Sequence, residues 1–185
     1  MQQLNFFSES STNLSSYEPT SSMSSRLTSE TSYDVETLGQ VFTPSCVVRA
    51  MLSLRRNSGR VLEPSCGDGA FSNCLPECVA IEVDRAHAPA GSLNIDFFAY
   101  PETEKFATII GNPPYVRYQD IHPETKALIK SNLFDLRSNL YLFFIEKAVR
   151  HLADGGELIF ITPRDFLKTT SSVRMNKWLY SHGTI

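Results

Sequence analysis

From Asp34 onward, short apolar runs alternate with segments of helical period, which confines the chain to a parallel sheet with helices on both faces. The runs are Arg60–Glu63, Val79–Val83, Ser92–Ile95, Ala107–Ile110 and Glu157–Ile161. Each is short and rich in β-branched or large apolar side chains, as strands buried on both faces require. Helices are predicted between them over Ser45–Leu54, Pro123–Ser131 and Ser138–Leu152. The last is capped by Ser138 or Asn139 and closed by Gly155-Gly156. Its Leu142, Ile145, Val149 and Leu152 recur at helical spacing and form a core-facing stripe. The fold class is therefore α/β, a Rossmann-like, doubly wound, mostly parallel sheet, in which ligands bind beyond the carboxyl ends of the strands.

Residues 1–33 are dominated by Ser and Thr and show no sustained apolar period. Such a stretch cannot bury enough surface to offset its ordering entropy, so it is predicted to be a disordered tail. Residues 34–185 then form one domain. No run approaches the roughly 18 apolar residues that a bilayer span needs, and no signal peptide is visible, so a cytoplasmic protein without a membrane partner is expected. Cys46, Cys66, Cys74 and Cys78 form no C-x-x-C pair, and the histidines lack zinc-finger spacing. Free thiols and no metal are expected.

The predicted strand ends carry the chemistry. After the first comes Glu63-Pro64-Ser65-Cys66-Gly67-Asp68-Gly69-Ala70-Phe71, a glycine turn that lets backbone approach a ligand, without the third glycine of a dinucleotide fingerprint. Glu82, near the end of the second strand, is placed to accept hydrogen bonds from ribose hydroxyls. Asp96 ends the third with Phe97 and Phe98 beside it, a carboxylate and an aromatic face that together can hold an adenine ring.

Gly111-Asn112-Pro113-Pro114-Tyr115 follows the fourth strand. Two consecutive prolines stop the strand and stiffen the turn. The Asn112 amide oxygen and the Pro113 carbonyl can both accept from an exocyclic amino group. Holding the hydrogens of such a group out of the ring plane would favour attack of its nitrogen on a methyl group. Tyr115 would stack on the base, and no covalent enzyme intermediate is required.

Together these residues resemble the class I S-adenosylmethionine-dependent methyltransferases, and among them the gamma-class N6-adenine DNA methyltransferases of restriction–modification systems. The resemblance runs from about Leu38 to the C-terminus. Gln40-Val41-Phe42-Thr43-Pro44 is similar to the motif that closes over the methionine end of the cofactor. Glu63, Pro64, Ser65, Cys66 and Gly67 match the main cofactor motif, Glu82 the ribose ligand, and Asp96-Phe97 the adenine site. Asn112-Pro113-Pro114-Tyr115 matches the catalytic motif, and Ser138–Tyr141 and Thr162-Pro163 match later ones. The resemblance implies S-adenosyl-L-methionine as cofactor, Asn112 adjoining it, and double-stranded DNA as partner, with the target adenine flipped into the pocket.

The family normally continues past the equivalent of Ile185, with a strand pair that completes the sheet and a target-recognition domain. A missing strand pair would leave the predicted strand Glu157–Ile161 as an open sheet edge. A fragment, or half of a split enzyme whose second chain carries the recognition domain, is therefore expected. The formal charge of −3 offers no global basic surface for DNA, in keeping with either. Phe166 is a candidate for the second aromatic against the base, and Arg117, Arg137, Arg164 and Lys168 for phosphate contacts. The alternatives are a methyltransferase of protein glutamine or RNA, and an inactive fragment or subunit requiring a partner.

Overall fold

The computed structural model describes residues 2–9, 42–135, 137–167 and 170–184. Among them six strands form one sheet, in which every recorded strand pairing is parallel. They are β1 (Gln2–Glu9), β2 (Val61–Glu63), β3 (Cys78–Ala80), β4 (Phe106–Gly111), β5 (Leu152–Pro163) and β6 (Gly183–Thr184), in the order β3-β2-β4-β5-β1-β6. The helices are α1 (Ser45–Leu52), α2 (Pro123–Leu128), α3 (Leu140–Arg150) and α4 (Thr170–His182). No described helix is long and apolar enough to cross a membrane.

Alternation along the central strands divides the core between the two faces. Leu62, Ile109, Leu158 and Phe160 join one cluster with most of α3 and with Met175 and Leu179 of α4. Val61, Ile110, Ile159 and Ile161 join the other with Val48 and Met51 of α1 and with Phe71. A period of two in the strands thus gives each face its own helical layer. The doubly wound architecture is as the strand–helix alternation predicts.

Several boundaries differ from the expectation. The Ser92–Ile95 run forms no strand: Leu93 makes one isolated bridge to Ile81, and Leu93 and Ile95 are exposed. The Asn94 side-chain amide donates to the carbonyls of Glu82 (2.8 Å) and Val83 (3.1 Å), taking acceptors that a ladder would have used. Asp96 therefore does not end a strand. It caps the 3-10 turn Phe97–Ala99, its Oδ1 accepting from the Phe98 N–H at 2.8 Å.

Helix α3 starts from an Asn139 cap, whose Oδ1 accepts from the Tyr141 N–H, and it ends at Arg150. Leu152 belongs to β5, because Gly155 (φ 73°) and Gly156 lie inside that strand and do not end the helix. The helix is buried on every side, from Leu140 to Val149, and not along one stripe. Two ionisable residues are buried with it. Ser131 donates to Glu146, and Lys147 donates to the carbonyls of Phe98 (3.1 Å) and Tyr100 (2.9 Å).

The N-terminal stretch is corrected in part. Gln2–Glu9, predicted to be disordered, forms β1, while residues 10–33 lie outside the described residues. The strand pairs with β5 from Gln3↔Glu157 to Glu9↔Pro163, so the β5 edge expected to be open is covered. On its far side β1 pairs with β6. A composition taken over residues 1–33 as a whole averages out the short segment Gln2–Glu9, which holds Leu4, Phe6 and Phe7 and pairs its backbone with an existing strand.

Candidate cofactor and catalytic pocket

The chain leaves β2 toward β3 on one side, while β4 lies on the other, so the strand order reverses between β2 and β4. A crevice opens at such a reversal beyond the carboxyl ends of the strands. There the Glu63 and Gly111 ends lie side by side: a Cβ built on Gly111 would sit 3.7 Å from Pro64 Cδ and 3.8 Å from Glu63 Cγ. The Ser65 hydroxyl donates to the Asn112 carbonyl at 3.2 Å, tying the glycine turn to the proline turn.

One pocket occupies this crevice. Thr43, Glu63, Pro64, Ser65, Cys66, Gly67, Glu82, Asp96, Phe97 and Asn112 all line it. Thr43 and Asn112, 69 positions apart in sequence, thus meet at one cavity. Of the predicted catalytic turn, Asn112 and Pro114 line the pocket, whereas Pro113 and Tyr115 do not. Pro44 also stands outside the lining, and Gln40 and Val41 lie outside the described residues.

The glycine turn is held by two carboxylates. Glu82 Oε2 accepts from the Gly67 N–H at 2.7 Å, and Oε1 accepts from the Asp84 N–H at 2.9 Å. Gly67 has φ 52° and Gly69 φ 83°, the left-handed region that favours glycine. A Cβ on Gly69 would also meet Asn73 Nδ2 at 2.8 Å, whereas one on Gly67 would meet nothing within 4 Å. Gly67 itself lines the cavity.

Glu63 is 1% exposed and accepts from the Ser72 N–H at 2.7 Å and the Phe71 N–H at 3.4 Å. It braces the 3-10 turn Ser72–Cys74 that follows the glycine turn. Burial outweighs those donors and pushes its carboxyl up to about 7. Burial likewise raises Glu82, and it pushes the Cys66 thiol up, which keeps that pocket-lining sulfur protonated. All four cysteines are unbridged.

At the proline turn, Asn112 Nδ2 donates to Thr43 Oγ1 at 3.4 Å, which orients the amide and joins the segment before α1 to the end of β4. The Tyr115 hydroxyl donates to the Ile161 carbonyl at 2.8 Å, and its ring meets Tyr141 edge-on at 5.8 Å. Phe166 is 1% exposed and packs on Tyr141 at 6.2 Å, so the core holds this ring away from any base. Arg117 pairs with Asp120 and Arg137 with Asp135, the latter pairing holding the Asp135 carboxyl down at about 2. Arg164 is exposed, and Lys168 lies outside the described residues.

Sequence reasoning missed part of the wall. Val116, Ile121, His122 and Thr125 come from the segment after the proline turn, and Leu140 and Phe144 come from α3. The first four carry no periodic signal. The α3 residues read only as core, because their proximity to the glycine turn is a product of the tertiary fold.

The fold is that of a class I methyltransferase. A putative class I S-adenosylmethionine-dependent methyltransferase from Listeria monocytogenes superposes with a TM-score of 0.57 at 16% identity, over 74% of this chain and 50% of that one. The family model of the Eco57I restriction-modification methylase matches residues 76–185, and the chain belongs to that family. The Type II methyltransferase M.HincII of Haemophilus influenzae is 30% identical over 165 residues, covering 80% of this chain and 32% of the relative. The Type II methyltransferase M.TthHB8I of Thermus thermophilus is 38% identical over 169 residues, covering 79% of this chain and 39% of that protein. The chain thus spans about a third of the length of these relatives.

Proposed function

We propose that this chain carries the cofactor-binding and methyl-transfer portion of an S-adenosylmethionine-dependent DNA methyltransferase acting on N6 of adenine. The observation that carries the reading is the convergence of Asn112 with Glu63, Gly67, Glu82, Asp96 and Phe97 on one cavity. The pocket suits the cofactor on its own chemistry. The Glu82 carboxylate accepts from the Gly67 and Asp84 N–H groups, and its lone pairs would also accept from a ribose hydroxyl. Gly67 leaves room where a side chain would intrude, and the Asp96 carboxylate stands next to the Phe97 ring for an adenine. The cofactor would supply a methyl group on a sulfonium, the carbon–sulfur electron pair remaining on sulfur as the group is transferred.

The protein's part is orientation. With Nδ2 turned to Thr43, the Asn112 amide presents Oδ1 on its other side, where it would accept from the target amino group. The Pro113 carbonyl would be the second acceptor. Tyr115, anchored through its hydroxyl, would offer its ring to the extruded base. The amino nitrogen gains the methyl carbon and releases a proton to solvent, so no side chain has to act as a strong base. A DNA substrate sets the working compartment as the cytoplasm. Sequence recognition would come from protein beyond these residues, on the same chain or a second one.

Transfer of tritiated methyl from S-adenosylmethionine to unmethylated DNA, followed by nucleoside analysis, tests the proposal. Label is expected in N6-methyladenine and should fall by about 100-fold or more in Asn112→Ala, as for loss of an orienting acceptor. Label in added protein or RNA instead of DNA would contradict it.

A further inference from the structure

Asp96 is held from two sides. Its Oδ1 accepts from the Phe98 N–H at 2.8 Å, within its own turn. Its Oδ2 accepts from the Thr125 hydroxyl at 2.5 Å, from a helix 29 residues further on. Thr125 itself lines the pocket beside Asp96 and Phe97. Its helix, α2, is fixed at both ends, by Ile121 (4% exposed) before it and Ile129 (8%) after it, both in the larger core. The Thr125 hydroxyl is therefore presented from a fixed frame.

Two donors on two different oxygens determine the plane of a carboxylate; one donor leaves it free to rotate about Cβ–Cγ. A carboxylate that reads a purine amino group must keep a lone pair aimed along the N–H direction, because such bonds weaken steeply with misalignment. We propose that Thr125 is a positioning residue that sets the selectivity of the cofactor pocket for a 6-aminopurine by fixing the Asp96 carboxylate. The proposal rests on the reading of Asp96 as the adenine acceptor. It also means that the segment following the catalytic turn contributes to cofactor selection, since α2 begins eight residues after Tyr115.

The test is equilibrium binding of two ligands to the whole chain. One is S-adenosylhomocysteine; the other is the analogue with hydrogen in place of the 6-amino group. The wild type should prefer the amino compound by about tenfold or more, the usual worth of a hydrogen bond to a charged acceptor. Thr125→Val should bring the preference to within about threefold, by weakening the amino compound while leaving the analogue's affinity in place, and Thr125→Ser should restore it. Thr125→Ala, which also lacks the hydroxyl, gives the same comparison if valine disturbs folding. Equal weakening of both ligands in the hydroxyl-free variants, or an unchanged preference, would overturn the role of Thr125 and leave Asp96 standing. A wild type that shows no preference would overturn the Asp96 reading and this inference with it.

Discussion

Glu63 shows how one side chain can serve the fold and border the chemistry. Its carboxylate is committed to the Phe71 and Ser72 N–H groups, yet it also lines the pocket. Because burial raises its pKa from 4.5 to about 7, the folded protein holds this proton where the unfolded chain has released it. Stability from this group is therefore fully present below pH 4.5 and is lost as pH rises toward 7. Glu63→Gln, which stays neutral, should flatten the unfolding free energy over that interval by about 1–3 kcal/mol, read from denaturant titrations at successive pH values. An unchanged slope would show that Glu63 does not carry it. Residues such as Glu63, Glu82, Asp96 and Asn112 were legible beforehand because each sits at or just beyond a predicted strand end, where a parallel sheet must place its ligands. Thr125 and His122 were not. Nothing local marks them, and they reach the pocket only because Ile121 and Ile129 anchor their segment in the core.

At the level of elements, the strands easiest to read were those buried on both sides. Phe106–Gly111 and Val61–Glu63 lie in the middle of the sheet and are buried almost throughout. Ser92–Ile95 alternates polar and apolar residues, and at the sheet margin Leu93 and Ile95 are exposed while Asn94 takes the backbone acceptors. Helix α3 was legible in position but not in its burial on all sides, which depends on Lys147 meeting two carbonyls and Glu146 meeting Ser131. Strand β1 was illegible, since the Ser- and Thr-rich stretch that follows it hid a short strand whose backbone pairs with β5 and β6. Its covering of β5 has a measurable consequence. Deleting Gln2–Glu9 should uncover the β5 edge and produce concentration-dependent self-association in sedimentation velocity, with a midpoint of thermal unfolding lowered by several degrees. A monomeric variant of unchanged stability would show that β5 does not need this partner.

For the molecule as a whole, two separately packed cores hold opposite faces of one sheet, and the pocket sits where the strand order reverses. The segment before α1, the glycine turn, the Asp96 turn, the proline turn and α2 meet there. This convergence is the central claim, and binding of S-adenosylhomocysteine to the chain, measured by calorimetry, tests it most directly. Saturable binding at one site is predicted, weakened by about 10- to 100-fold in Glu82→Ala through loss of the proposed ribose acceptor, and changed by no more than about threefold in Asn112→Ala. Absence of binding, or binding that Glu82→Ala leaves untouched, would contradict the account.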